Sequence, residues 1–269
     1  MTKPPQGVKQ TKVSIPSEKL RVADVAFTTQ FLSLLKRAQR IMVSTGAGVS
    51  TESGIPTFRG LGGLWEDFKP EELATPEAFQ RDPEKVWKWY DWRRQMISKV
   101  EPNGGHKALV ELQSLFPRFF LFTQNVDGLH QRAGSRDVHE LHGNIWRAQC
   151  IKEKTRFELL QTPLNEIPPH CACGSLIRPD VVWFGEPLPA NILRTARNVA
   201  ASCDFFFLIG SSATVEPAAS LAWIARENGG IVVEMNEEAT AVTEIANEVF
   251  LGKAGVILPE LMKALKTNV

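Results

Sequence analysis

Four short strings in this chain bring together residue types that do chemistry. Gly46 and Gly48 are spaced Gly-x-Gly directly after the apolar run Ile41-Met42-Val43, and a turn of that kind at a strand end lets backbone N–H groups approach a pyrophosphate closely. The full dinucleotide fingerprint would place a third glycine at 51, where Thr51 stands, so the pair alone equally marks a tight strand-to-helix turn. Gln124, Asn125 and Asp127 follow the apolar run Phe119–Thr123. Amides and a carboxylate there either hold a ligand at a sheet edge or close an Asx turn on their own backbone. His142 stands in Leu141-His142-Gly143-Asn144. An imidazole with an ordinary pKa of about 6.5 takes a proton from a hydroxyl at neutral pH, although one histidine is as readily a capping group. Tyr90, the single tyrosine, and Arg93 are three residues apart in a stretch without Gly or Pro. That spacing puts a phenol and a guanidinium on one helical face, where they can converge on one carboxylate, and the planar fork of Arg suits that group better than Lys. Arg94 points about 100° away. The plainer alternative is an aromatic helix carrying a solvated arginine.

These groups need elements to hold them. Apolar runs at Ile41–Val43, Phe119–Thr123, Val138–Leu141, Val181–Trp183, Phe205–Ile209, Ile231–Met235 and Val249–Leu251 predict strands. Helical spacing predicts helices over Val25–Leu35, Val86–Val100, Lys107–Leu115, Ile192–Ala201, Ala218–Arg226 and Leu258–Leu265. Alternating helices and non-alternating hydrophobic strands imply an α/β fold, a doubly wound, mostly parallel sheet of Rossmann-like type. The core is expected over about 23–55, 104–147 and 179–269. Two interrupting stretches, about 56–103, rich in Trp and Pro, and about 148–178, which holds three cysteines, are expected to form a smaller inserted module.

Composition narrows the partners. With 31 Lys+Arg against 30 Asp+Glu the chain has a formal charge of +1, which provides no field to grip a nucleic acid. No apolar run approaches the ~20 residues of a membrane-spanning helix. Residues 1–22 carry Lys3, Lys9, Lys12 and Lys19 with no apolar core and read as a flexible basic tail. Four cysteines, three of them crowded together, do not make a disulfide framework, so a cytoplasmic protein is expected, and a monomer.

The long string Thr45-Gly46-Ala47-Gly48-Val49-Ser50-Thr51-Glu52-Ser53-Gly54-Ile55-Pro56-Thr57-Phe58-Arg59-Gly60 is far more specific than its glycines. Together with Thr123-Gln124-Asn125-Val126-Asp127-Gly128-Leu129-His130, Leu141–Asn144, Val182-Trp183-Phe184-Gly185-Glu186, Gly210-Ser211-Ser212 and Asn236, it resembles the sirtuins, NAD-dependent protein lysine deacylases. The resemblance implies that NAD is a co-substrate held by Gly46, Ala47, Gly48, Ser50, Phe58, Arg59, Trp65, Gln124, Asn125, Asp127, Gly210, Ser211, Ser212, Asn236, Glu237 and Ala254. It assigns catalysis to His142, as general base on a ribose hydroxyl, and to Asn125. In the implied reaction the acyl-lysine carbonyl oxygen displaces nicotinamide, and the acyl group leaves as O-acyl-ADP-ribose with free lysine.

Tyr90-x-x-Arg93 and Leu73-Ala74-Thr75-Pro76 resemble the class III members, which remove succinyl, malonyl and glutaryl groups; the small Ala74 leaves room for a longer acyl chain. By the same resemblance Phe184, Gly185 and Val215 border the groove where an acyl-lysine peptide adds as a strand. The alternatives within reach are a plain deacetylase of the same family, or an NAD-binding protein or ADP-ribosyltransferase without acidic-acyl preference. Sirtuins usually carry a zinc ribbon of two Cys pairs. Here Cys150 begins the first pair but Glu153 stands three residues on, and the second is Cys171-Ala172-Cys173 behind His170. Whether Cys150, Cys171 and Cys173 hold zinc with Glu153 or His170 is open on sequence alone.

Overall fold

A computed structural model describes residues 20–22, 26–58 and 62–267. The elements run β1 (Leu20–Val22), α1 (Thr29–Arg37), β2 (Arg40–Thr45), α2 (Leu64–Asp67), α3 (Pro70–Leu73), α4 (Pro76–Arg81), α5 (Pro83–Ile97), α6 (Gly104–Leu115), β3 (Arg118–Thr123), α7 (Leu129–Ala133), β4 (Val138–Glu140), β5 (Gly143–Cys150), β6 (Arg156–Glu158), β7 (Ile177–Val181), α8 (Ala190–Ala200), β8 (Phe205–Ile209), α9 (Ser220–Glu227), β9 (Ile231–Asn236), β10 (Glu248–Leu251) and α10 (Ala254–Thr267). Seven strands form one sheet in the order β1-β10-β9-β8-β2-β3-β4, and every pairing in it is parallel. The chain leaves β2 towards β3 on one side and returns to β8 on the other, so the sheet's topological switch lies between β2 and β8. In such sheets the ligand crevice opens at the carboxyl ends beside that switch.

Both faces of the sheet are covered, which explains why its central strands are apolar without alternation. On one face Val43, Leu121, Phe207 and Met235 pack with Leu35, Leu109 and Leu261 of α1, α6 and α10. On the other, Met42, Phe122, Phe206 and Val232 meet Ala196 and Leu221 of α8 and α9. A third core belongs to the smaller module, where Trp87, Tyr90 and Ile97 of α5 pack against Ile145, Ala148 and Ile177.

The helices start where side chains cap them. Thr28, Asp82 and Asn103 each accept from backbone N–H groups of the first turn of α1, α5 and α6. Asn103 sets the start of α6 at Gly104, ahead of the expected Lys107. Val181–Trp183 does not resume the parallel sheet. Residues 177–181 are instead an edge strand of a three-stranded antiparallel sheet, β6-β5-β7. Arg178, Pro179 and Asp180 suit an edge rather than a doubly covered interior. β5 lies partly in the stretch expected to belong to the core. Leu20–Val22 pairs with β10 although it falls within the expected tail; residues 1–19 lie outside the described residues. No helix is long and apolar enough to cross a membrane among the described residues.

Candidate active site

A cleft of about 1290 Å³ opens at the carboxyl ends of β2, β3, β8 and β9 and runs under the smaller module. The Gly46–Gly48 turn and Gly210–Ser212, at the ends of β2 and β8, form its floor. Gly46 N donates to Ile209 O at 3.0 Å and Gly48 N to Gly210 O at 2.8 Å. A Cβ on Gly48 would lie 2.8 Å from Gly210 Cα. The two turns therefore touch backbone to backbone, which only glycine permits.

Asn125 points its amide into this floor, donating from Nδ2 to Gly46 O at 3.0 Å and to Ser50 Oγ at 3.3 Å. Ser50 donates to Asp127 Oδ2 at 2.8 Å, and Leu129 N donates to the other carboxylate oxygen at 2.8 Å. Ser50 and Asp127 are buried behind the cleft wall, and burial raises the Asp127 pKa against those hydrogen bonds. Gln124 lines the cleft and donates from Nε2 to Ser211 Oγ at 3.1 Å.

His142 sits in the turn between β4 and β5. Its Nδ1 is 2.9 Å from Gln124 O. A carbonyl only accepts, so Nδ1 carries the hydrogen and the neutral ring keeps its lone pair on Nε2, the arrangement of a base. Burial lowers the His142 pKa below its ordinary value, and the Gln124 carbonyl opposes this. Gly143 has φ of +79°, and a Cβ there would meet Asp180 O at 2.1 Å, so the turn that aims His142 requires glycine at 143.

The smaller module supplies an aromatic wall. Phe58 and Trp65 lie 5.3 Å apart, Trp65 stacks on Trp89 at 5.6 Å, and Phe184 closes edge-on at 6.3 Å from Trp65. At its end stand Tyr90 and Arg93, with Ala74 beside them lining the same cleft. Trp183 Nε1 donates to Tyr90 Oη at 2.9 Å, and Trp183 is itself held under Arg178, whose guanidinium carbon is 3.5 Å from the ring centre. Arg93 is only 3% exposed, with its guanidinium 4.7 Å from the Phe58 ring and 4.8 Å from that of Trp89. Its Nε has no hydrogen-bond partner, and it forms no ion pair among the described residues. Burial lowers the pKa of Arg93, against the pull of Tyr90 and Asp127. Arg94 turns the other way and donates to the carbonyls of Ile145, Leu159 and Gln161, tying α5 to the smaller module's strand.

Gly185 and Val215 line the cleft, as do Asn236 at the end of β9 and Glu237 and Ala254. Arg59 lies outside the described residues. Trp89 was not among the expected site residues, although it precedes Arg93 by four positions, the spacing of helical neighbours. Away from the cleft, Cys150, Cys171, Cys173 and Glu153 come together with all four donor atoms within 4.8 Å of one another. His170 instead meets Glu166 at 2.9 Å and is not in this cluster.

Residues 46–217 match the Sir2 family model. The chain belongs to the Sir2 family. It is 54% identical over 228 residues to an NAD-dependent protein deacylase of Aquifex aeolicus, covering 84% of this chain and 95% of the relative. Among solved structures, a Sir2 homologue–NAD complex superposes with a TM-score of 0.85 at 43% identity, covering 94% of this chain and 99% of that one. A Sir2–p53 peptide–NAD+ complex superposes at 0.77 with 32% identity, over 89% and 98% of the two chains. The Sir2 architecture thus accounts for the glycine floor and the two-module cleft together.

Proposed function

We propose that this Sir2-family enzyme, which uses NAD to remove acyl groups from protein lysines, prefers acyl chains that end in a carboxylate. The observation that carries this is Arg93, buried in an aromatic pocket with no anionic partner among the described residues. A guanidinium taken out of water costs several kcal/mol unless a counter-charge meets it. A succinyl or malonyl carboxylate supplies that charge in the bidentate geometry a guanidinium favours. The Tyr90 phenol, accepting from Trp183, has its own hydrogen left to donate to the same carboxylate.

The remaining roles follow the cleft. Ala47, Ser211 and Ser212, carried on the two glycine turns that the phosphates approach closely, take the phosphates. Asn236, Glu237 and Ala254 take the adenosine end, and Gln124 and Asn125, with Ser50 and Asp127 behind them, hold the nicotinamide riboside end. Phe58 and Trp65 shield the reacting carbon from water. His142 Nε2 accepts a proton from a ribose hydroxyl. The peptide lies as a strand between Phe184–Gly185 and Val215, where main-chain pairing tolerates many sequences. NAD supplies the electrophilic sugar carbon that accepts the acyl oxygen. All four cysteines are unpaired, which fits a reducing cytoplasm.

The cysteine cluster fits zinc. Tetrahedral Zn–S bonds of about 2.3 Å space sulfurs about 3.8 Å apart, and Cys150 Sγ lies 3.6 Å from Cys173 Sγ. Cys171 Sγ is 4.0 Å from Glu153 Oε2. Cys150, Cys171, Cys173 and Glu153 would hold the ion as a structural clasp of the smaller module, remote from the chemistry.

The test incubates the protein and NAD with matched acetyl-, malonyl- and succinyl-lysine peptides, following nicotinamide release and peptide mass. Faster loss of the two acidic groups is expected. Equal rates on all three peptides would remove the role given to Tyr90 and Arg93, and nicotinamide release without loss of acyl mass would remove the deacylase reading.

A further inference from the structure

Glu234, on β9, is completely buried, yet among the described residues no cation is paired with it. Its register partners on the adjoining strands are Leu208 and Val249, which belong with Val242 to one apolar core, a setting in which a carboxylate is costly. What it does have is three donors. Asn236 Nδ2 donates to Oε1 at 2.8 Å, Thr240 Oγ1 to the same oxygen at 2.6 Å, and Thr243 Oγ1 to Oε2. Asn236 in turn accepts at Oδ1 from Ser211 N at 2.8 Å. A carboxylate here only accepts and a backbone N–H only donates, so the Asn236 amide has one possible orientation. One N–H of Nδ2 and one lone pair of Oδ1 remain for the cleft, which Asn236 lines while Glu234 does not. Thr240 and Thr243 also cap each other's backbone, with Thr240 N donating to Thr243 Oγ1 at 2.9 Å. Glu234 therefore ties down both Asn236 and the far end of the lip Glu237–Thr240, which borders the same end of the cleft.

We infer that Glu234 is a positioning residue for NAD: its buried carboxylate locks the Asn236 amide and the 237–240 lip in the geometry that receives the adenosine ribose hydroxyls. This rests on the reading that Asn236 and its neighbours take the adenosine end of NAD. A purely structural carboxylate would be expected to bond the backbone or a cation, whereas all three donors here belong to the cleft's own wall or the turn behind it.

The experiment measures ADP-ribose affinity and steady-state kinetics in Glu234→Gln, Asn236→Ala and the double variant. Gln keeps one acceptor oxygen and puts an N–H₂ where the other stood, so the three donors share a single acceptor and Asn236 is held less tightly. ADP-ribose binding is expected to weaken about tenfold in Glu234→Gln, with KM for NAD rising to match and kcat held within about twofold. The double variant is expected to lose less than the two single losses together, because the carboxylate acts partly through the Asn236 amide and partly through the lip. Thr243→Val, which keeps the volume and removes one donor to Glu234 together with the acceptor for Thr240 N, shifts ADP-ribose affinity about threefold in the same direction and serves if Glu234→Gln does not fold. Unchanged ADP-ribose affinity in Glu234→Gln beside a weakened Asn236→Ala would overturn the positioning role alone. Unchanged affinity in Asn236→Ala would overturn the reading of the adenosine end and the proposal with it. Additive losses, or a fall in kcat that tracks the melting temperature, would reduce Glu234 to a folding residue.

Discussion

Arg93 shows how much one side chain can decide. Its stem and guanidinium are enclosed by Phe58, Trp89 and Tyr90, so the charge meets ring faces and the more distant pull of Asp127 but no paired carboxylate among the described residues. Arg93→Met retains a long apolar side chain and removes the fork. Desuccinylation is expected to fall at least about a hundredfold, the scale of one buried charge-assisted pair, while deacetylation changes only a fewfold. Parallel loss of both rates would instead mark a structural residue. His142 carries a prediction about pH. As a base it must be neutral, and burial holds its pKa below 6.5. Activity is therefore present above that value and lost as pH falls through the lowered pKa, so the acid limb of the kcat/KM profile should lie below pH 6.5. A limb above that value would contradict the burial or the role.

At the scale of elements, the antiparallel sheet β6-β5-β7 brings Cys150 at the end of β5 against the turn that carries Cys171 and Cys173. Cys150 Sγ also accepts from Glu153 N at 3.4 Å, which folds the chain after β5 back over the sulfur. This is why Glu153, three residues on, and not His170, joins the three cysteines. Elemental analysis of purified protein is expected to read about one zinc per chain. Glu153→Ala should lower the occupancy retained against a chelator, and Cys173→Ser should abolish it and lower the melting temperature. Metal-free protein with an unchanged melting temperature would show that packing alone holds this module.

The whole molecule depends on a junction buried beneath the site. His106 of α6 and His130 of α7 lie with ring centres 4.9 Å apart, and His130 Nε2 meets Thr45 Oγ1 at 2.9 Å between the ends of β2 and β3. Burial lowers their pKa values to about 4 and about 3. The unfolded chain takes up protons below about 6.5 that the folded chain refuses, so stability is full above that pH and declines as pH falls towards the folded values. For His106 alone the loss is about 3 kcal/mol. Unfolding free energies measured from pH 7 to 4 should fall accordingly, and His106→Leu, which fills the space without a titrating ring, should flatten that decline. An unchanged slope would assign the acid sensitivity to other groups. Much of this molecule is legible in the residues alone. Backbone-to-backbone glycine turns, apolar strands covered on both sides, and the i, i+3 pairing of Tyr90 with Arg93 are local consequences of side-chain size and helical or strand period, and they stand where their spacing puts them. What no local rule could supply is which distant groups meet. Val181 joins a second sheet because β5 offers an edge to Arg178–Val181. Glu153 completes the cysteine cluster because the chain bends at Cys150, and Arg93 loses its solvent because Phe58 arrives from another loop. Glu234 becomes a hub only because Thr240 and Thr243 fold back over it. Spacing along the chain determined the elements and the chemistry they could carry. Burial and long-range contact, which exist only once the chain closes on itself, decided which charges lack partners and where a substrate's own charge would be needed.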